Sequence, residues 1–238
     1  MKVALIGYGK MGKTIEQILL DRGHQVVLII DKDNLHDLNN TNLQQADVAI
    51  EFSNPESAVH NMLACFDAGT PVVCGSTGWL SRKEEIEKAC TVKNAGLIHA
   101  SNFSLGVNLF FELNRSLARL MHPHKEYAVQ LTEIHHSAKL DAPSGTAISL
   151  AEQVMESYTE KARWVNSPSD NPADLYIESQ RIDPAPGTHT ITYSSPIDDI
   201  SITHTAHSRQ GFALGAVLAA EFLAGKKGIY TMRQVLGL

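Results

Sequence analysis

The chain has 238 residues, 43% hydrophobic and 19% charged, with a formal net charge of −6. That length supports a sizeable core in one large domain or two small ones, and the acidic balance argues against a general nucleic-acid surface. No uninterrupted apolar run approaches the roughly 20 residues that span a bilayer, so no membrane association is expected. The start, MKVALIGYGK, is too glycine-interrupted for a secretory leader. Cys65, Cys74 and Cys90 have no paired metal spacing. They predict free thiols in a reducing, cytoplasmic setting.

KVALI, residues 2–6, is a short apolar run and predicts a buried strand. Gly7, Gly9 and Gly12 follow as G-x-G-x-x-G, and residues 10–22 carry Met11, Ile15, Ile18 and Leu19 at helical spacing before Gly23. HQVVLIID, residues 24–31, is the next strand and closes a β-α-β unit. In such a unit Gly7 allows the tight turn, Gly9 lets the backbone approach a pyrophosphate, and Gly12 lets helix and strand pack closely. The helix start offers N–H groups to the phosphates. The turn Gly7, Tyr8, Gly9, Lys10, Met11, Gly12 is therefore expected to bind a dinucleotide. Asp31 ends the second strand, where a carboxylate bonds the ribose hydroxyls and favours NADH. Lys32 can meet a 2′-phosphate, which would admit NADPH, or be a solvated loop lysine.

Residues 32–46 are polar and predict a loop with little room for a helix. Strands follow at 46–53, 71–78 and 96–104. Between them come a helix opening at Pro55 under an Asn54 or Ser53 cap and ending at Gly69, and a helix with a capping box from Ser81 and Glu84. Alternating strands and helices predict a Rossmann-like, doubly wound parallel sheet. Ligands collect at the carboxyl ends of such strands. There stand Gly75, Ser76 and Thr77, and Ala100, Ser101, Asn102 and Phe103. Small residues let the nicotinamide half pass, Asn102 can bond its carboxamide, and Phe103 can shape the ring pocket.

After Ser104 the pattern changes. A helix is expected near 106–121 with Leu109, Leu113, Leu117 and Leu120 at helical spacing, then a strand at 127–136 and a helix near 144–158. Residues 161–173 read as a loop. LYIESQRI, THTITYSS and DISITHTAH, at short spacing, predict an antiparallel meander. This is a second, α+β domain with a mixed or antiparallel sheet. Its faces call for oligomer contacts, because one helical pair covers four strands poorly. The apolar helix at 211–225 is expected to return to the first domain. The predicted division is 1–104 with 209–238 for the dinucleotide, and 105–208 for substrate and oligomerisation.

The chemistry of that second domain centres on EIHHSAKLDAPSGTA, residues 133–147. His135 and His136 point to opposite faces of a regular strand, and histidine is suited to proton transfer near neutrality. Lys139 can hold a carboxylate or feed a proton. Ser144, Gly145 and Thr146 open a helix whose N–H groups and hydroxyls can bind a carboxylate. Asp141 and Pro143 read as loop-shaping. No third ligand has metal-site spacing, so no metal is expected. Arg209 is undecided between cofactor contact and hinge.

This sequence resembles the dihydrodipicolinate reductase family, now called 4-hydroxy-tetrahydrodipicolinate reductases, over essentially the whole chain. The 133–147 stretch is the most specific piece, supported by GSTG at 75–78, ASNFS at 100–104 and ITHTAHSR at 202–209. The resemblance implies reduction of a small cyclic dicarboxylate with NADH or NADPH in the diaminopimelate route to lysine, by a homotetramer. It implies His135 as general acid and base, Lys139 as second proton donor, and His136, Gly145 and Thr146 as substrate-binding positions. The chain departs from the family's usual G-x-x-G-R-M-G turn, which is one residue longer and has Arg where Lys10 stands. It also has Asp31-Lys32 where Glu-Arg is common, which touches the choice of nucleotide. Competing readings are an aspartate dehydrogenase-like oxidoreductase on the same plan and a non-catalytic NADH sensor. The full 133–147 motif argues against the first, and the lack of a basic recognition helix argues against the second.

Overall fold

The computed structural model describes residues 1–238. In chain order, β1 (Lys2–Ile6), α1 (Lys10–Asp21), β2 (Gln25–Ile30), α2 (Asn40–Leu43), β3 (Val48–Glu51), α3 (Pro55–Ala68), β4 (Val72–Cys74), α4 (Lys83–Val92) and β5 (Gly96–His99) come first. Then follow α5 (Leu105–Met121), β6 (Ala128–His135), α6 (Gly145–Ser157), β7 (Arg163–Val165), β8 (Asp174–Arg181), β9 (Thr188–Ser194) and β10 (Asp199–Thr205). The chain closes with α7 (Gln210–Leu223), β11 (Gly228–Tyr230) and α8 (Met232–Leu236). Met1–Leu105 with Gln210–Leu238 form one compact unit, and Gly106–Arg209 a second.

The first unit is built on a parallel sheet of order β11-β5-β4-β3-β1-β2. Its strands are apolar on both faces, as a sheet covered twice requires. Val3, Leu5, Val48, Ile50, Val73 and Ile98 face α1 and α7. Ala4, Ile6, Ala49, Val72 and Leu97 face the opposite layer, where Met62 and Phe66 of α3 and Ile86 of α4 pack. So α7 does return to this sheet, through Ala213, Ala216, Val217 and Ala220. Gly215 of α7 lies so close to the loop after β5 that an added Cβ would stand 1.7 Å from the Phe103 carbonyl oxygen.

Helix boundaries follow local chemistry. Asn54 caps α3 by accepting from the Glu56 and Ser57 N–H groups, Pro55 takes the first position, and Gly69 ends the helix at φ 75°. Such a cap contributes about 1 kcal/mol. The expected Ser81/Glu84 capping box is absent. A 3-10 turn, Leu80–Arg82, runs directly into α4 and supplies its own carbonyls, so no side chain caps that start. Residues 32–46 do hold helical turns, at Leu35–Asp37 and in the four-residue α2. The tail adds β11 and α8, the latter started by a Thr231/Gln234 capping box.

The second unit carries a mixed sheet of order β10-β9-β6-β8-β7. The expected meander is wrong in one respect. Only β9 and β10 form a hairpin, because β6 lies between β8 and β9, parallel to the first and antiparallel to the second. Residues 182–187 therefore step over the end of β6. The predicted loop at 161–173 begins with β7, paired parallel to β8. One sheet face, with Leu131, Leu175, Ile177, Ile191 and Tyr193, packs under Phe110, Ala118 and Met121 of α5 and Ala147, Leu150 and Val154 of α6. Of the leucines expected on one face of α5, only Leu117 packs against this core; the other three point away. Leu109, Leu113 and Leu120 are 42%, 58% and 70% exposed, while Val107, Phe110, Asn114 and Ala118 are buried. Buried Asn114 is held by donation from its Nδ2 to the Leu150 carbonyl, 3.0 Å, and to Gln153 Oε1, 3.1 Å.

The three thiols are free and buried. Burial, then the Glu51 carboxylate, pushes Cys65 and Cys74 far up, and burial with Glu87 pushes Cys90 to about 11. None is poised as a nucleophile. No helix is long and apolar enough to cross a membrane.

Candidate active site

In the first unit the sheet order reverses between β1 and β3, and a cleft of about 380 Å³ opens there. Gly7, Tyr8, Gly9, Asp31 and Lys32 line it, together with Phe52, Ser53, Asn54, Ser57 and Asn61. The three glycines differ in what surrounds them. A Cβ on Gly7, at φ 94°, would meet the Phe52 carbonyl oxygen at 2.2 Å. On Gly12 it would meet the Gly7 carbonyl oxygen at 2.3 Å. On Gly9 it would meet nothing within 4 Å. Gly7 and Gly12 thus serve close packing, whereas Gly9 leaves its side open. Gly9 is also the N-cap of α1 and offers no side chain, so the first-turn N–H groups around Lys10 and Met11 have no side-chain cap.

Asp31 and Lys32 stand side by side at the end of β2, with the Lys32 N–H donating to Asp31 Oδ1 at 2.9 Å. Two polar residues of the cleft lining, Ser53 and Asn61, bond to a buried carboxylate. Glu51 is fully buried and accepts from the Ser53 hydroxyl, from Asn61 Nδ2 at 3.3 Å and from the Cys74 thiol at 3.1 Å. Gly75, Ser76, Thr77, Ala100, Ser101, Asn102 and Phe103 follow β4 and β5 but do not line this cleft. A Cβ on Gly75 would collide with the Phe52 ring at 2.0 Å. Ser76 Oγ accepts the Ser53 N–H at 2.9 Å, and Asn102 Oδ1 the Ser104 N–H at 2.9 Å. Phe103 is buried and its ring sits 5.8 Å from that of Phe52.

In the second unit β6 ends at His135. Alternation along the strand turns Leu131, Glu133 and His135 inward, and His136 falls just past the strand end. Lys139 Nζ donates to both oxygens of Asp141, at 2.8 and 2.9 Å. Arg181 of β8 clasps the same loop by donating to the Lys139 and Asp141 carbonyls, at 3.3 and 2.6 Å. Ser144 caps α6 by accepting the Ala147 N–H at 3.2 Å, and its own N–H donates to Glu133. The expected Ser144 hydroxyl therefore turns inward. Gly145 is exposed and Thr146 half-buried, so these two residues carry the open start of the helix.

Glu133 has no solvent exposure. Burial favours its neutral form, but hydrogen bonds from Ser144 and Ser179 win and hold it below the usual glutamate range. Its Oε2 lies 3.4 Å from His135 Nδ1 and 3.7 Å from His189 Nε2. Burial lowers the His135 pKa; Glu133 opposes, while Lys139 and Arg181 push down and Asp141 up. His189, buried on β9, is pushed down to about 4, chiefly by burial and then by His135. It is neutral at pH 7. The sequence shows no third ligand at metal-site spacing, but the fold brings one ligand atom each of Glu133, His135 and His189 within 4.8 Å of one another.

Family models for the N-terminus and C-terminus of dihydrodipicolinate reductase match residues 1–103 and 106–236. The chain belongs to the dihydrodipicolinate reductase family. It is 50% identical over 237 residues, 99% of this chain and 98% of the other, to the 4-hydroxy-tetrahydrodipicolinate reductase of Christiangramia forsetii. The enzyme of that name from Ralstonia pickettii is 36% identical, over 82% of this chain and 76% of its own. A dipicolinate-bound dihydrodipicolinate reductase from Paenisporosarcina sp. TG-14 superposes with a TM-score of 0.79 over 97% of both chains. At 21% identity that match speaks for the fold.

In this dihydrodipicolinate reductase, three groups around His135 that the sequence pattern does not single out are Glu133, Arg181 and His189. Glu133 had a signal: it stands two residues before His135, hence on the same strand face. His189 had none, because its pairing with Glu133 across β6 and β9 depends on a register that only the assembled sheet supplies.

Proposed function

We propose that this chain catalyses the NAD(P)H-dependent reduction of 4-hydroxy-tetrahydrodipicolinate to tetrahydrodipicolinate, with loss of water, in the diaminopimelate route to lysine. The observation that carries this is 50% identity, across nearly all of both chains, to a protein bearing that name. The geometry supports it, since the reaction needs a hydride donor, a proton donor and grips for two carboxylates.

The first unit fits the dinucleotide. Gly9 leaves open space before the uncapped start of α1, where a pyrophosphate is favoured, and Asp31 on the cleft wall is placed for ribose hydroxyls. NADH is the expected donor, with NADPH admitted by Lys32. Bound there, the nicotinamide supplies a hydride. Gly75 to Thr77 and Ala100 to Phe103, after β4 and β5 of the same unit, are the residues proposed for the nicotinamide half of the cofactor.

In the second unit His135 gives the proton, from Nε2, because Nδ1 is enclosed beside Glu133. Lys139 stands by as anion anchor or second donor, already held by Asp141. The first turn of α6 at Gly145 and Thr146 takes one substrate carboxylate through its N–H groups and dipole, and His136 adds a further polar contact. The balance is substrate plus NAD(P)H plus one proton, giving product, NAD(P)+ and water. The three-group cluster is read as proton-handling, since Glu133 Oε2 accepts only the Ser144 N–H and keeps a lone pair toward His135 Nδ1, 3.4 Å away.

The test is an assay coupled to dihydrodipicolinate synthase, following NADH and NADPH oxidation. Turnover is expected with both. No turnover with either, in a protein that still binds NADH, would overturn the proposal.

We also propose a homotetramer working in the cytoplasm. The face of the second sheet opposite α5 and α6 carries paired hydroxyls, Thr190 with Thr203 at 3.1 Å and Thr192 with Ser201 at 2.9 Å, and remains largely open. Leu109, Leu113 and Leu120 of α5 make a second open apolar surface. Sedimentation at micromolar concentration should give about four times the chain mass; a lone monomer would contradict it.

A further inference from the structure

A carboxylate removed from water is costly unless it is hydrogen-bonded. The hydrogen bonds to Glu133 fall mainly on Oε1. The Ser144 N–H reaches Oε1 and Oε2 at 3.0 and 3.2 Å, the Ser179 hydroxyl reaches Oε1 at 2.7 Å, and Arg181 Nη1 stands 3.8 Å from Oε1. Oε2 also faces His135 Nδ1 at 3.4 Å and His189 Nε2 at 3.7 Å, and His189 Nε2 is itself hydrogen-bonded to the Ser144 hydroxyl at 3.2 Å. His135 Nδ1 is enclosed and has no hydrogen-bond partner, and Glu133 Oε2 stands 3.4 Å from it. The His189 ring braces the His135 ring edge-to-face, with centroids 5.2 Å apart and planes at 74°. The 182–187 connection, crossing the end of β6, brings Gly187 against the other edge of His135. A Cβ there would stand 3.1 Å from Nε2.

We propose that Glu133 is the positioning residue of His135: its Oε2 holds a proton on Nδ1 and so presents Nε2 as the atom that exchanges a proton with substrate. Glu133 acts through His135 and does not itself touch the substrate. An ionised carboxylate beside Nδ1 favours the tautomer with hydrogen on Nδ1 and stabilises the imidazolium. The other charged or titratable groups facing His135 are Lys139 and Asp141 from the following loop, Arg181 from β8 and His189 from β9. Lys139 and Arg181 disfavour the imidazolium, so Glu133 is the main group near the ring that offsets them.

This rests on His135 as the proton donor, and the experiment keeps the two apart. Nitrogen-15 spectra of the histidine side chains, taken on the free protein at about pH 8, read the His135 tautomer without any turnover. Hydrogen on Nδ1 in the native protein, lost or mixed in Glu133→Gln, is expected. In the coupled assay Glu133→Gln should lower kcat by about 100-fold near pH 8. The alkaline limb of its profile should move down by about one pH unit or more, with KM for substrate changed by much less. A merely structural role would lower kcat equally at all pH values. Hydrogen on Nε2 in the native protein, or an unshifted limb in a folded Glu133→Gln variant, overturns the proposal. Full turnover in His135→Gln would instead remove the reading on which it rests.

Discussion

Replacing His135 by Gln is expected to lower kcat by about 100- to 10,000-fold, the usual contribution of a positioned general acid. NADH binding should survive, because the dinucleotide cleft lies entirely within the other unit. Gln keeps a polar side chain beside Glu133 and limits the structural penalty. The pH dependence gives a second reading of the same group. The protonated imidazole is the reactive form, and in the free protein burial holds its pKa below the ordinary histidine value. So kcat/KM should be full below that pKa and fall by about tenfold per pH unit above it. A bound dicarboxylate adds negative charge near the ring and raises the pKa, so the limb of kcat should lie at higher pH than that of kcat/KM. In His135→Gln both limbs should vanish. Lys139→Ala provides the contrast. A large loss in kcat would assign it proton donation, and a rise in KM with kcat retained would assign it anchoring.

Gly9→Asp should separate stability from cofactor binding. Gly9 has an extended backbone at the N-cap of α1, with φ −73° and ψ −159°, and nothing within 4 Å of an added Cβ. Asp is among the preferred residues at that position and should stabilise the helix by about 0.3 kcal/mol over Gly. The same carboxylate would stand where the pyrophosphate is expected and would occupy the N–H groups meant for it. Thermal unfolding should therefore be unchanged or slightly higher, while NADH affinity by fluorescence titration falls by about 100-fold or more. Unchanged affinity in a folded variant would move the dinucleotide away from the Gly7–Gly12 turn. Gly7 and Gly12 do not permit this separation, since any side chain there meets backbone.

Two features of the second unit show where sequence patterns stop being informative. The helical spacing of Leu109, Leu113, Leu117 and Leu120 was real, and α5 forms, but only Leu117 of the four packs against the core, and the buried side is Val107, Phe110, Asn114 and Ala118. Periodicity states which residues share a face and does not state which face the core takes. Three strands at short spacing likewise predicted neighbours in a meander, yet β6 inserts between β8 and β9. The six residues at 182–187 are enough to step over one strand, and turn chemistry alone does not distinguish that step from a hairpin.

What the sequence determined by itself was local. The strand-turn-helix at the front of the chain, the close packing at Gly7 and Gly12, a cap at Ser53 or Asn54 before Pro55 and the opening of α6 at Ser144 all arise from residues within a few positions of one another. Backbone sterics and hydrogen-bond valence act at that range. The tertiary structure alone decided which side chains meet His135. Glu133 and His189 are 56 residues apart and face each other only because β9 pairs with β6 in one register. Ser179 and Arg181 reach Glu133 only because β8 lies on the other flank. Charge placement in a buried site depends on strand order and register, which long-range packing sets and short-range patterns do not encode.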